Sequence, residues 1–183
     1  YPEFSGSSTW DIVERHKVNV VFITGDAMGR PMIEALESGG DRDLSSVLSI
    51  ASSACLFSPS VKEQFLDRFP NSVIIDAIGS SETGFGGMGV VAKDTPHTGG
   101  PRVKADKETH VLREDGTPVE PGSGEVGVLA RSGHVPLRYH NDPEKTAAAW
   151  RGDRVTVGDL GRLDDDGYLF LDGRREDLVI SGG

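Results

Sequence analysis

Hydrophobic and polar positions alternate in blocks before Gly84 and predict strands and helices in turn. Continuous apolar runs are typical of strands that are buried on both faces. The predicted strands are Val18–Thr24, Val47–Ala51 and Ser72–Ala77. The predicted helices are Trp10–His16 with Ser8 as N-cap, Pro31–Leu36, and a helix from Ser58 and Pro59 to Phe69. Strands that alternate with helices indicate a parallel sheet with crossover helices.

The pattern becomes rich in short strands after Gly89. Glu114–Thr117 and Asp165–Tyr168 carry the Asp-Gly signal of hairpin turns. The predicted strands are Val111–Leu112, Gly124–Ala130, Arg154–Val157 and Tyr168–Leu171, and one helix is predicted at Glu144–Trp150 behind Asp142 and Pro143. A small barrel or sandwich is the simplest packing of these elements.

Composition and charge narrow the class of protein. Hydrophobic residues make up 36% of the 183 residues, and the formal net charge is −10. No run of Lys and Arg is present, which argues against a nucleic-acid partner. The single cysteine, Cys55, rules out a disulfide framework and favours a reducing, cytoplasmic location. The longest apolar stretch, Val18–Ile23, is too short to span a bilayer, while peripheral membrane association is left open.

The segment Asp76–Gly84, directly after a predicted buried strand, is the first candidate for chemistry. Ligands of open α/β sheets bind outside the carboxyl ends of strands, and glycines let the backbone approach a ligand closely. Ser80, Ser81 and Thr83 offer hydroxyls to phosphate oxygens, and Glu82 is a hard oxygen ligand for magnesium. An ordinary polar turn explains the same residues equally well.

Two further segments carry charged residues between glycines. Asp159, within Gly158–Arg162, is a plausible acceptor for ribose hydroxyls, and the alternative is a turn between strands. Arg174 and Arg175, within Asp172–Asp177, could clamp a ribose or a phosphate, and the alternative is a solvated charged turn. Taken alone, each of these two segments favours the alternative of a turn over a binding site.

The order and spacing of these segments resemble the adenylate-forming family of acyl-CoA synthetases, firefly luciferase and nonribosomal-peptide adenylation domains. Ile78–Glu82 is similar to the family's Tyr-Gly-x-Thr-Glu motif, Arg154–Asp159 to its Thr-Gly-Asp motif, and Gly173–Asp177 to its hinge motif. Gly124–Leu129 together with Tyr139–Thr146 resembles the family's segment between these motifs. Ser52–Cys55 stands where the family has its adenine loop. Ile23–Pro31 further resembles the actinobacterial fatty-acyl and sterol-side-chain CoA ligases.

The resemblance implies an α/β fold in three parts. Residues 1–94 would be part of a doubly wound αβα subdomain, residues 95–172 a small β-barrel subdomain, and residues 173–183 the hinge and the start of a C-terminal domain. The chain would thus be an internal fragment of a large N-terminal domain. A Pro-Lys-Gly phosphate loop and a C-terminal catalytic Lys would lie outside it.

The resemblance also implies roles for individual residues. Ser81 would bond the AMP phosphate, and Glu82 would coordinate Mg²⁺, so these two are the implied catalytic residues. Asp159 would accept both ribose hydroxyls, Arg174 would bind the ribose too, and Asp76 could hold the adenine amino group. The implied nucleotide-binding residues are Asp76, Ile78, Gly79, Ser80, Asp159 and Arg174. Ile78 stands where the family has a Tyr that stacks on adenine.

The implied reaction converts a carboxylic acid, a fatty or sterol side-chain acid, and ATP into an acyl-adenylate, and CoA then displaces AMP. ATP or AMP, Mg²⁺ and CoA as co-substrate are the implied ligands, and a homodimer is one option. An acyl-AMP ligase that loads a carrier protein would use the same residues. A non-catalytic nucleotide-binding module is the alternative from another class.

Overall fold

A computed structural model describes residues 3–95 and 102–174 of the chain. The helices are α1 (Gly6–His16), α2 (Gly25–Ser38), α3 (Pro59–Arg68) and α4 (Pro143–Ala149). The strands are β1 (Val20–Ile23), β2 (Ser49–Ser52), β3 (Val73–Ser80), β4 (Gly84–Ala92), β5 (Arg102–Lys104), β6 (Thr109–Leu112), β7 (Gly127–Arg131), β8 (Trp150–Arg151), β9 (Arg154–Leu163) and β10 (Tyr168–Arg174).

The chain divides into two compact units. The first holds the residues up to Ala77 and the segment that begins at Gly89, and the second holds Ile78–Met88 and the described chain from Arg102 onward. The predicted α/β fold is confirmed, because a sheet with parallel strands is followed by a curled antiparallel sheet. The exact subdomain limits stay predictions.

The first sheet has the strand order β1-β2-β3-β4, and its first three strands are parallel. Side chains of α1, α2 and α3 pack with Ile23, Ile50 and Ile74 in one hydrophobic core. The prediction that β1 is buried on both faces is wrong for this chain. Val20 and Phe22, on its other face, are 56% and 61% exposed, since the helices that pack on this strand contact Val21 and Ile23.

Two helix starts differ from the prediction. Ser5, and not Ser8, caps α1: its hydroxyl oxygen accepts a hydrogen bond from the Ser8 backbone N–H. Helix α2 begins at Gly25, immediately after β1, and has Pro31 inside it. Proline favours the first turn of a helix, which made Pro31 resemble a helix start. The Asp26 carboxylate holds the true start in place by accepting bonds from the Ser58 backbone N–H and hydroxyl.

The second sheet is antiparallel, with the order β5-β10-β9-β7-β6 and β8 paired to β9. The predicted hairpin turns are confirmed, with Gly116 at φ +82° and Gly167 at φ +72°, backbone conformations that favour glycine. The predicted cap of α4 is also confirmed, because the Asp142 carboxylate accepts from the Lys145 backbone N–H. Among residues 3–95 and 102–174, no helix has the length and apolar character needed to cross a bilayer.

Three strands were not predicted: β4, β5 and the two-residue strand β8 (Trp150–Arg151), whose first residue was predicted to end a helix. Strand β4 (Gly84–Ala92) is interrupted by four glycines, at 84, 86, 87 and 89, and glycine is depleted in strands. Strand β5 (Arg102–Lys104) has three residues and carries charges at both ends. Strand β9 (Arg154–Leu163) also continues through the segment predicted as a turn around Asp159. Its pairing with β7 and β10 overrides the two glycines that suggested a turn.

Candidate active site

The turn between β3 and β4 carries the residues for which the resemblance implies phosphate and magnesium binding. The Ser80 hydroxyl oxygen accepts hydrogen bonds from the backbone N–H groups of Glu82 and Thr83, at 3.2 and 3.0 Å. Ser80 therefore shapes the turn, as serine hydroxyls do in such motifs. The Ser81 side chain is exposed and Glu82 is half-buried.

Glu82 is hydrogen-bonded to a tyrosine far away in the sequence. The Tyr139 hydroxyl donates to Glu82 Oε1 at 2.9 Å. This hydrogen bond lowers the pKa of Glu82. The pKa of Tyr139 is raised, mainly because the hydroxyl is partly buried and secondly because it donates to Glu82. Glu82 is thus ionised at neutral pH and is the kind of hard oxygen ligand that Mg²⁺ prefers.

A cavity of about 160 Å³ adjoins this hydrogen bond. It is lined by Ser81, Glu82, Pro136, Arg138, Tyr139, Trp150 and Val155. The two implied catalytic residues, Ser81 and Glu82, therefore both line this cavity of the second unit. Among residues 3–95 and 102–174, no group of three or more His, Cys, Asp or Glu could hold a metal. A single carboxylate fits Mg²⁺, which is usually held by one or two carboxylates together with substrate phosphates and water.

Asp159 and Arg174 are brought together by strand pairing. The two residues face each other in the register of β9 and β10. Arg174 Nε donates to Asp159 Oδ1 at 2.7 Å, and the two side chains are 56% and 19% exposed. Both residues were predicted to contact the ribose, and this role stays a prediction. Arg175, Glu176 and Asp177, the rest of the predicted hinge motif, lie outside the described residues.

Ile78 and Gly79 have different surroundings. Ile78 is 8% exposed and belongs to the hydrophobic core of the second unit, with Val103 and Leu169. Gly79 is exposed, and a Cβ built on it would lie 2.4 Å from the Gly84 carbonyl oxygen. The close approach of the two strands therefore requires a glycine at position 79. The nucleotide-binding roles of both residues stay predictions.

Asp76 forms a buried ion pair in the first unit. Its carboxylate binds the ammonium group of Lys62 on α3, and the side chains of Lys62 and Asp76 are 4% and 6% exposed. The Lys62 ammonium also lies 5.5 Å from the centre of the Phe57 ring. The role of Asp76 at the adenine amino group stays a prediction.

Sequence reasoning missed the parts played by Lys62 and Tyr139. A signal for Lys62 was present, because it lies three and four residues before Phe65 and Leu66, on the face of α3 that is buried. A lysine on such a face needs a buried partner. No local signal pointed from Tyr139 to Glu82, since their contact depends on the folding of the second unit.

The chain is similar to known CoA ligases over its whole length. Over its whole length the chain is 52% identical to the 3-oxocholest-4-en-26-oate–CoA ligase of Rhodococcus rhodochrous and spans 35% of that protein. It is 50% identical, also over its whole length, to the medium/long-chain-fatty-acid–CoA/3-oxocholest-4-en-26-oate–CoA ligase of Mycobacterium tuberculosis, of which it spans 34%. The anthranilate CoA ligase AuaEII, solved in complex with anthranoyl-AMP, matches the whole chain over 35% of its own length with a TM-score of 0.81 at 20% identity. No family model matches the chain.

The chain is therefore a homologue of a part of the acyl-CoA ligases, which are acid–thiol ligases. It shares its fold with the CoA ligase that was solved with anthranoyl-AMP. It spans about a third of the length of the relatives that it matches.

Proposed function

We propose that the full-length protein activates a fatty or sterol side-chain carboxylic acid with ATP and transfers the acyl group to CoA. The observation that carries the proposal is the 52% identity, over the whole chain, to a ligase named for 3-oxocholest-4-en-26-oate. The relative named for both medium/long-chain fatty acids and this sterol acid supports the same substrate class. CoA ligases of this family generally use ATP, CoA and Mg²⁺.

Four polar or charged residues of the second unit have roles in the proposed reaction. Glu82 holds Mg²⁺, and Ser81 donates its hydroxyl to the α-phosphate. Asp159 accepts the ribose hydroxyls, and Arg174 keeps the Asp159 carboxylate oriented by its bond to Oδ1. Mg²⁺, when bound, offsets the negative charge of the phosphates. The groups of the chain thus position the nucleotide before the carboxylate of the acid attacks the α-phosphorus and pyrophosphate leaves.

The test is an assay of the full-length gene product with ATP, Mg²⁺, CoA and two acids, palmitate and 3-oxocholest-4-en-26-oate. We expect pyrophosphate release that depends on the acid, and the acyl-CoA as product. The 183-residue chain alone should make no acyl-CoA, because it spans 35% of a matched ligase. Acid-dependent pyrophosphate release with no thioester would contradict CoA as the acceptor. Nucleotide binding without pyrophosphate release would contradict the enzyme assignment.

Asp159→Ala in the full-length protein should weaken ATP binding by about ten- to a hundredfold. A carboxylate that accepts hydrogen bonds from ribose hydroxyls contributes about 1.5–3 kcal/mol, and about 1.4 kcal/mol corresponds to a factor of ten in Kd. The melting temperature should change little, because the Arg174 side chain of this ion pair is 56% exposed and surface ion pairs contribute about 0–1 kcal/mol to stability. Isothermal titration calorimetry with ATP and a thermal melt measure the two effects.

Asp172→Ala is the matched control for this prediction. Asp172 lies on β10 and pairs with Arg162 on β9, so it is a cross-strand ion pair between the same two strands. We expect the control to leave the Kd for ATP unchanged. A lower melting temperature with an unchanged Kd in Asp159→Ala would show that Asp159 only stabilises the strand pair.

A cytoplasmic location, peripheral membrane association and a homodimer belong to this proposal as predictions from the sequence. Gel filtration and cell fractionation of the full-length protein test them.

A further inference from the structure

Tyr139 is held at three points by groups of the second unit. Its hydroxyl donates to Glu82 Oε1 at 2.9 Å. Its backbone N–H donates to the Thr146 hydroxyl oxygen at 3.0 Å, and that hydroxyl donates to the Asp142 carbonyl oxygen at 2.7 Å. The Lys145 ammonium lies 4.2 Å from the centre of the Tyr139 ring. The first turn of α4 therefore fixes both the main chain and the ring of this tyrosine.

A donor held in this way restricts the side chain that accepts from it. Free glutamate has three rotatable side-chain bonds and loses rotamer entropy when it binds a cation. A bond from a fixed hydroxyl to Oε1 limits those rotamers before the cation arrives, and it leaves Oε2 as a ligand. A tyrosine hydroxyl is also neutral, so Glu82 keeps the charge that attracts Mg²⁺, whereas Arg or Lys at the same place would offset it.

We propose that Tyr139 is a positioning residue that orients the Glu82 carboxylate for the Mg²⁺ ion of the nucleotide complex. The proposal rests on the proposed function, in which Glu82 holds that ion. The competing explanation is that the bond between Tyr139 and Glu82 only supports the packing of the turn against α4. The two explanations differ in what happens to nucleotide binding with and without magnesium.

The test measures the affinity of the full-length protein for a non-cleavable ATP analogue, α,β-methylene ATP, in excess Mg²⁺ and in EDTA. Tyr139→Phe keeps the ring on which Lys145 rests and removes only the hydroxyl. We expect its Kd to rise about tenfold with Mg²⁺ and to change less than twofold in EDTA. Tyr168→Phe is the matched control, because phenylalanine keeps the ring that lies 3.6 Å from Arg102, and it should change neither Kd.

A double-variant cycle shows whether Tyr139 acts through Glu82. Adding Tyr139→Phe to Glu82→Gln should cause no further loss of Mg²⁺-dependent affinity, since the oriented group is already gone. Equal losses with Mg²⁺ and in EDTA, additive losses in the double variant, or no loss would each overturn the proposal. If Tyr139→Phe folds poorly, Thr146→Val removes the acceptor for the Tyr139 backbone N–H and should give a smaller loss with the same dependence on Mg²⁺.

The failure of this inference and that of the proposed function are distinguishable. A wild-type protein that makes acyl-CoA and depends on Glu82 for Mg²⁺, but tolerates Tyr139→Phe, would overturn only the role of Tyr139. A wild-type protein that forms no acyl-adenylate would overturn the proposed function itself.

Discussion

Lys62→Met is expected to lower the free energy of unfolding by about 3–5 kcal/mol, because removing one partner of a buried ion pair leaves an uncompensated buried charge. The side chains of Lys62 and Asp76 are 4% and 6% exposed, so water cannot solvate Asp76 in place of the lost ammonium group. Methionine has a similar length and leaves the packing against Phe57 largely in place. Urea titration of the chain followed by circular dichroism measures the change.

Two variants separate the buried charge from other effects of the substitution. Lys93→Met is the matched control, because Lys93 pairs with Asp67 in the same unit at 3.6 Å with both side chains exposed, and its loss should cost about 0–1 kcal/mol. The double variant Lys62→Met/Asp76→Leu removes both charges and should recover most of the stability. A loss in Lys62→Met no larger than in Lys93→Met would contradict the account of the pair as a buried charge.

Glu82→Gln in the full-length protein should reduce acid-dependent ATP–pyrophosphate exchange by about a hundredfold or more. Glutamine keeps the size of the side chain and an oxygen that can accept from Tyr139, but it has no charge to hold Mg²⁺. Losing one preorganised group that stabilises charge in a transition state costs about 100- to 1,000-fold in rate. Radiolabelled pyrophosphate exchange at saturating ATP measures the effect.

Glu144→Gln, on the exposed side of α4, controls for the loss of one negative charge near the same helix. It should keep exchange within about twofold, and both variants should melt near the wild-type temperature, since Glu82 is half-buried and keeps its shape. Exchange in Glu82→Gln within a few-fold of wild type would remove Glu82 as the magnesium ligand. Excess Mg²⁺ that restores exchange would instead agree with a weakened ligand.

The period of the hydrophobic pattern was sufficient to predict most elements of the fold. Runs of Val and Ile predicted the first three strands, and Pro59 and Pro143 at the first helical positions marked two helices. These signals are local, because the preferences of proline and of apolar runs act within a few residues. The pattern was misleading where packing overrides propensity, as in the glycine-rich strand β4 and in β9 around Asp159.

The candidate site was predictable as a set of residues but not as an arrangement. The sequence by itself determined which groups carry charge or hydroxyls: Ser81, Glu82, Asp159 and Arg174 were all predicted from the resemblance of their segments to the family's motifs. Only the tertiary structure decided their partners. Glu82 and Tyr139 are 57 residues apart, and Lys62 reaches Asp76 from a different element.

Strand register and helix packing bring such residues together, and both depend on contacts along the whole chain. A shift of one residue in the pairing of β9 with β10 would place Asp159 and Arg174 on opposite faces of the sheet, because the side-chain period of a strand is two. Local sequence specifies the chemical groups, whereas long-range packing specifies their distances and their degree of burial.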